Sequence, residues 1–421
     1  MVSPSEGRHI TPDPTDRRGW NHNYKSFPTH GDRMRISEVE LTEFTYELES
    51  VGTAGANQVH QVYDPENTLE PTGLILTVRT ADGTEGHYRS ITYGELIRTH
   101  VEIAAENLLI GRDPLERESI WQDVWRTFRH TDHFGLGPID VALWDLAGRH
   151  YGESVSKLLG GWRTELPAYA STFFMDSAPD GLNSPEAYAD FAEECLARGY
   201  PGFKIHGYPE GDVETDVAIC RAVADRVGDE MDLMLDPASG YRTYREALRV
   251  GEQLDELGFY WYEDPMADTG QSINASKNLT RKLDTPMLGL EHVRTGPFGR
   301  ADHMTAEAVE LVRADVHQDG GITGAMKIAN VAEAFGLDVE LHIGGPATLH
   351  CMSAIRNSNY FEHSLVHPQG VDWMNQQGFL ESPERLTSEG TIAVPDGPGL
   401  GVEIDWEFVN DRLVDRTVIG R

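Results

Sequence analysis

The chain has 421 residues, 39% hydrophobic and 25% charged, enough for two or three domains or for one large barrel with additions. Its 69 acidic against 35 basic residues give a formal charge of −34, which repels nucleic-acid phosphates and anionic membranes as main partners. No apolar run approaches the ~20 residues of a membrane span, and Cys195, Cys220 and Cys351 form no CxxC pair, which excludes a disulfide scaffold and a cysteine zinc site and points to a reducing, cytoplasmic location.

Only six basic residues are Lys (Lys25, Lys157, Lys204, Lys277, Lys282 and Lys327). An acidic, Lys-poor surface suits work in concentrated salt, where self-repulsion is screened; a GC-rich genome is the alternative source of the Arg bias. Residues 1 to about 32 are polar, with Pro4, Pro12, Pro14 and Pro28, and read as an extension. Strand patterns follow at Ile36, Val39, Leu41 and Phe44 and at residues 74–78, then a hairpin-type turn at 81–84 with Gly83 and Gly86 as turn residues. Residues 93–160 are helical in pattern, so this first part reads as α+β.

After Trp162, short apolar strands alternate with amphipathic helices. Ser184-Pro185 starts a helix, Ser as N-cap and Pro at the first helical position. Further helices carry Val213, Val217, Cys220, Ala224 and Val227; Tyr244 to Leu257, stopped by Gly258; and Met326 to Phe335, stopped by Gly336. Alternation over about 200 residues implies parallel strands with crossover helices, and eight such units close into a (β/α) barrel. From about Asp372 the alternation stops, and residues 401–404 read as a final strand.

The barrel strands share one property: each ends in an ionisable residue. In order these are Lys204 with His206, Asp236, Glu263, Glu291, Asp315, His342 and Glu362, spaced by about one strand–helix unit. Strand C-termini of such a barrel meet at one face, so these side chains are expected to converge on one mouth. Three carboxylates cannot be buried together without a cation. Asp236, Glu263 and Glu291 are therefore read as ligands of Mg²⁺, with Mn²⁺ as a possible substitute. His292 follows Glu291 and is a candidate substrate contact; His317, two residues after Asp315, is a similar one. Trp144 and Asp145 read as packing and hydrogen-bonding residues.

These strand ends, together with Ile139-Asp140-Val141-Ala142-Leu143-Trp144-Asp145-Leu146-Ala147-Gly148, Leu158-Leu159-Gly160-Gly161, Asp319-Gly320-Gly321-Ile322-Thr323-Gly324 and Pro398-Gly399-Leu400-Gly401, resemble the enolase superfamily and, within it, the mandelate racemase subgroup. The resemblance implies an α/β fold: a modified TIM barrel (163–371) under an α+β capping domain (33–162, completed by 372–421). It implies metal ligation by Asp236, Glu263 and Glu291, a His342–Asp315 base dyad, and Glu362 as the acid that hydrogen-bonds the substrate carboxylate. The family's Lys-x-Lys falls on Lys204-Ile205-His206, and the loss of the second lysine argues against two-base racemisation. The segment 51–70, with Asn57, His60 and Tyr63, is expected to close over the barrel.

A small-molecule carboxylate, a sugar acid above all, is the expected partner, and a homo-oligomer the expected assembly. The leading reading is dehydration to a 2-keto-3-deoxy acid, with His342 as base, Lys204 and a protonated Glu362 as stabilisers, and His206 or His342 as acid. The alternatives are a racemase, epimerase or cycloisomerase of a 2-hydroxy acid, and a non-catalytic acid-binding protein.

Overall fold

The computed structural model describes residues 34–55, 60–90, 93–371 and 378–420. The extension read at residues 1 to 32, and Asn57, lie outside them. The chain begins with β1 (Ile36–Thr45), β2 (Leu48–Ala54), β3 (His60–Leu69), β4 (Thr72–Thr80) and β5 (Glu85–Arg89). Four helices follow: α1 (Gly94–Ala104), α2 (Arg117–Thr127), α3 (Leu136–Tyr151) and α4 (Val155–Leu158).

Alternating units then run as β6 (Glu165–Thr172), α5 (Pro185–Ala197), β7 (Gly202–Ile205), α6 (Val213–Val227), β8 (Asp232–Leu235), α7 (Tyr244–Leu257), β9 (Trp261–Glu263) and α8 (Ile273–Thr280). They continue as β10 (Met287–Gly289), α9 (Gly296–Thr305), β11 (Leu311–Asp315), α10 (Gly321–Phe335), β12 (Asp338–His342), α11 (Pro346–Ala354) and β13 (Phe361–Val366). β14 (Thr391–Ala393), α12 (Trp406–Asp411) and β15 (Leu413–Gly420) complete the described chain.

The parallel strands lie in the order β12-β11-β10-β9-β8-β7-β6-β13. They form a barrel whose ladder is open between β12 and β13, capped by the antiparallel sheet β15-β1-β4-β5. Local chemistry accounts for the helix boundaries. Ser184 accepts from Ala187 N, Thr243 and Glu246 form a reciprocal capping box, and Gly258 and Gly336 end their helices at φ 71° and 74°. One apolar core joins cap to barrel, running from Val39, Leu76 and Ile139 to Val312, Ile322 and Val339. No helix among the described residues is long and apolar enough to cross a membrane.

The described residues of 51–70, the segment expected to close over the barrel, lie mostly in the antiparallel hairpin β2–β3. It is tied to the barrel where Phe174 N donates to Gln61 O, and Tyr63 stacks on His367. Gly86 is not a turn residue but lies within β5, where a Cβ would sit 2.2 Å from Ala142 O and 2.4 Å from Leu146 N of α3. Residues 401–404 are not a strand: Gly399 and Gly401 adopt φ 73° and 64°, and the chain turns on Gly401 N to Pro398 O. The last strand is β15, paired to β1. Glu362 is the second residue of β13 rather than its end.

Candidate active site

Asp236 follows β8, Glu263 closes β9 and Glu291 lies two residues past β10, so three adjacent strands bring their carboxylates to one end of the barrel. One oxygen from each lies within 4.8 Å of the others. Buried Lys204, on β7, sets its Nζ 2.8 Å from Glu362 Oε1, 3.0 Å from Glu263 Oε2 and 3.4 Å from Asp236 Oδ2. Arg313, buried on β11, reaches Glu263 Oε1 with Nε at 2.9 Å and Glu362 with Nη2.

The sequence reading assigned Arg313 no role. It lies two residues before Asp315 on the same strand, so by the strand period the two share the barrel's inner face. Its contact with Glu263 is off the hydrogen-bonding direction, which leaves both Arg313 Nε and Glu263 Oε1 without a hydrogen bond.

Four carboxylates thus face two permanent cations, Lys204 and Arg313; with all four ionised, two negative charges remain, which one divalent cation balances. Burial pushes Glu263 up to about 8, although Arg313 and Lys204 pull it down. An all-oxygen donor set, an unbonded buried carboxylate oxygen and this charge deficit fit Mg²⁺. Burial opposes ionisation of Glu362, but Lys204 and Arg313 bring its carboxyl well below the usual carboxylate range.

His342 closes β12 directly opposite Asp315 in the β11–β12 register. Its Nδ1 lies 3.0 Å from Asp315 Oδ2, and its Nε2 lies 3.4 Å from Glu291 Oε1. The Nδ1–H donates to Asp315, so Nε2 is the nitrogen free to take a proton. Burial lowers His342, but Glu291 and the Asp315 hydrogen bond more than offset it and raise the imidazole to about 9. Asp315 Oδ1 accepts from His317 N at 2.5 Å and Gln318 N at 3.2 Å. Asp319, braced by Arg300 at 2.7 Å, accepts from Asp315 N. Asp264 accepts from Leu290 N and Glu291 N and so fixes the turn that carries Glu291. Sequence reasoning missed Asp264; its position directly after Glu263 was the available clue.

The remaining candidates divide. His206 lines the mouth, but its Nδ1 meets Thr172 O at 2.7 Å and its Nε2 meets Asp236 Oδ2 at 3.2 Å, so both ring nitrogens are engaged. His292 also lines the mouth, with Nε2 3.5 Å from Glu291 Oε1. His317 instead pairs through Nδ1 with the Tyr88 hydroxyl under the cap. Trp144 donates to Thr323, and Asp145 accepts from His87 N and Leu400 N.

The mouth is a cavity of about 1090 Å³. Ser239 Oγ and Gln318 Oε1 on its wall are buried and without hydrogen-bond partners. Arg294, also on the wall, donates one N–H to Glu291 O.

The family description "Enolase C-terminal domain-like" matches residues 187–408, and "Mandelate racemase / muconate lactonizing enzyme, N-terminal domain" matches residues 68–160. The chain is 30% identical to the D-galactarolactone cycloisomerase of Agrobacterium fabrum, over 81% of this chain and 92% of that protein. It is 29% identical to the arabinonate dehydratase of Saccharolobus solfataricus, over 79% and 89%. The crystal structure of D-glucarate dehydratase from Agrobacterium tumefaciens complexed with magnesium superposes with a TM-score of 0.83 at 34% identity, covering 91% of this chain and all of that one.

Proposed function

Because the chain belongs to the mandelate racemase/muconate lactonizing enzyme branch of the enolase superfamily, we propose that it removes the proton next to a substrate carboxylate and dehydrates a sugar acid to a 2-keto-3-deoxy acid. The cap (33–162 with 372–421) and the barrel (163–371) are the two units of this reading. A Mg²⁺ ion held by Asp236, Glu263 and Glu291 would supply the positive charge that an enediolate needs.

His342 takes the α-proton on Nε2, and Asp315 keeps Nδ1 protonated and steadies the imidazolium that forms. Lys204 and Arg313 offset the charge of Glu263 and Glu362 beneath the reacting carboxylate. The imidazolium then returns its proton to the departing β-hydroxyl. Water leaves, the Cα–Cβ double bond forms, and the enol tautomerises to the 2-keto acid. Atoms balance: one sugar acid gives one keto acid and one water.

The observation that carries dehydration over epimerisation is the tethering of His206 at both nitrogens. A two-base epimerase needs a second free base across the barrel, and His342 is the one with an open nitrogen. Ser239, Gln318 and Arg294 support a polyhydroxylated substrate, since a sugar acid supplies the hydrogen-bonding groups that this wall lacks. The test is a screen of mono- and diacid sugars with Mg²⁺, read by 2-keto acid formation and by exchange of the α-proton in deuterated water. Clean interconversion of two epimers without keto acid would overturn dehydration, and retention of the α-proton with every ligand that binds would leave only acid binding.

A further inference from the structure

The ammonium and guanidinium groups at and beneath the mouth are paired with carboxylates, with one exception. Lys204 and Arg313 serve Glu263 and Glu362, Arg300 lies 2.7 Å from Asp319, and the exposed Arg242 lies 3.7 Å from Glu246. Arg294 stands in the loop between β10 and α9, half-buried on the mouth wall. It forms no ion pair among the described residues, and its one hydrogen bond runs from Nη1 to Glu291 O at 3.3 Å. Its unbonded nitrogens are not sealed inside the protein, as Arg313 Nη1 is, so they reach solvent from the wall of a cavity of about 1090 Å³.

The acids around Arg294 do not need it. Asp315 accepts from His342, His317 N and Gln318 N, and Asp319 accepts from Arg300 and Asp315 N. The Glu291 side chain is turned to the ion site, with His342 Nε2 at 3.4 Å and Arg313 Nε at 3.8 Å. The exposed acids of the wall, Glu210 and Asp212, belong to the loop after β7, three strands away from β10.

Charge and shape then narrow what Arg294 awaits. At the ion end, four carboxylates are balanced by Lys204, Arg313 and one divalent cation, so the charge of Arg294 is left over. A guanidinium keeps that charge at any working pH and presents its N–H groups as a planar fork. A carboxylate matches it with one negative charge and two coplanar oxygens, whereas a hydroxyl supplies neither. A terminal phosphate would bring a second charge that one guanidinium leaves unmatched, in a protein whose formal charge is already −34. The cavity is larger than a carboxylate on the ion requires and has room for the rest of a sugar chain.

Resting on the reading that a sugar acid places its reacting carboxylate at the ion, we propose that Arg294 binds a second carboxylate at the far end of the same substrate and makes the enzyme selective for diacids over monoacids.

The test uses Mg²⁺-loaded full chain and pairs of sugar acids of the same configuration, one with a terminal carboxylate and one with a terminal hydroxyl. For at least one pair, wild-type kcat/KM is expected to favour the diacid by about 10–100-fold, the worth of a charged hydrogen-bonded pair. Arg294→Met should raise the diacid KM by a similar factor and collapse the diacid-to-monoacid ratio, and Arg294→Lys should retain part of it. A merely structural role would lower both substrates alike and leave the ratio standing, which would overturn the proposal. So would a wild-type ratio near one for every pair, a result that needs no variant to fold, or preference for a terminally phosphorylated monoacid over every diacid. If no acid yields keto acid, dehydration fails, and the role of Arg294 is then read by calorimetric titration of the same pairs. Diacid binding at least about 10-fold tighter than monoacid binding, lost in Arg294→Met, would uphold it, and equal binding or none would overturn it.

Discussion

Binding of Mg²⁺ to the ion-free protein should expel protons, and the number can be worked from the site. Glu263 is held at about 8 and His342 at about 9. At pH 7 roughly nine-tenths of Glu263 and nearly all of His342 therefore carry the titrating proton. Ligation needs the Glu263 carboxylate bare, and a cation on Glu291 cancels the charge that does most to raise His342. Between about one and two protons should leave per ion bound at pH 7, and almost none at pH 10.

Apparent Mg²⁺ affinity should then climb by roughly one to two decades per pH unit between pH 6 and 8. Titration calorimetry in buffers of different ionisation enthalpy gives the count directly, and His342→Asn should reduce it while binding persists. The same groups fix the sign of the stability change. Both native values exceed the ordinary 4.5 and 6.5, so their contribution is complete below pH 4.5 and is lost as pH rises through about 8 and 9. The midpoint of the ion-free protein should fall across that window, and the Mg²⁺-loaded midpoint should not. A proton count near zero at pH 7, or an affinity independent of pH, would refute the argument.

His342→Asn should abolish both turnover and α-proton exchange, and Asp315→Asn should lower kcat by about 10²–10⁴-fold by releasing the imidazole tautomer; wild-type exchange by NMR in either variant would contradict this. Arg313→Met should destabilise the ion-free protein by about 3–5 kcal/mol, because Glu263 and Glu362 lose a buried partner; a change under about 1 kcal/mol in denaturant unfolding would count against it. With a formal charge of −34, stability should rise as KCl shortens the Debye length from ~10 Å at 0.1 M to ~3 Å at 1 M; a flat or falling midpoint would leave genome composition as the source of the Lys-poor surface.

The barrel and its charged rim were legible because a buried parallel strand is a short apolar run, and an ionisable residue at its end stands out against it. Asp236, Glu263, Glu291, Asp315 and His342 all fall at or within two residues of such an end. Arg313 was passed over because it sits inside a run, where period alone does not distinguish a barrel-facing charge from an error of phase. The hairpin β2–β3 escaped detection because β3 is largely half-buried or exposed, so its two faces do not alternate. β15 is exposed along most of its length, and its pairing with β1 is set by backbone hydrogen bonds rather than by a hydrophobic pattern. The carboxylates that brace the site, Asp319 at Asp315 and Asp264 at Glu291, act through backbone N–H groups that no side-chain motif announces.

The pairing of β15 with β1 also bears on how the molecule is made. Arg416 and Thr42 touch although they stand 374 positions apart in the chain. Loop-closure entropy grows only slowly with such a separation, so the finished sheet loses little equilibrium stability by it. The kinetic consequence is larger. Barrel units joined through near neighbours can assemble as they leave the ribosome, whereas β1 must wait, with an open edge, until the final strand is synthesised. During translation that edge, bearing Val39 and Leu41, is the most exposed template for pairing with another chain, and the dense negative charge along the protein gives nascent copies a reason to stay apart.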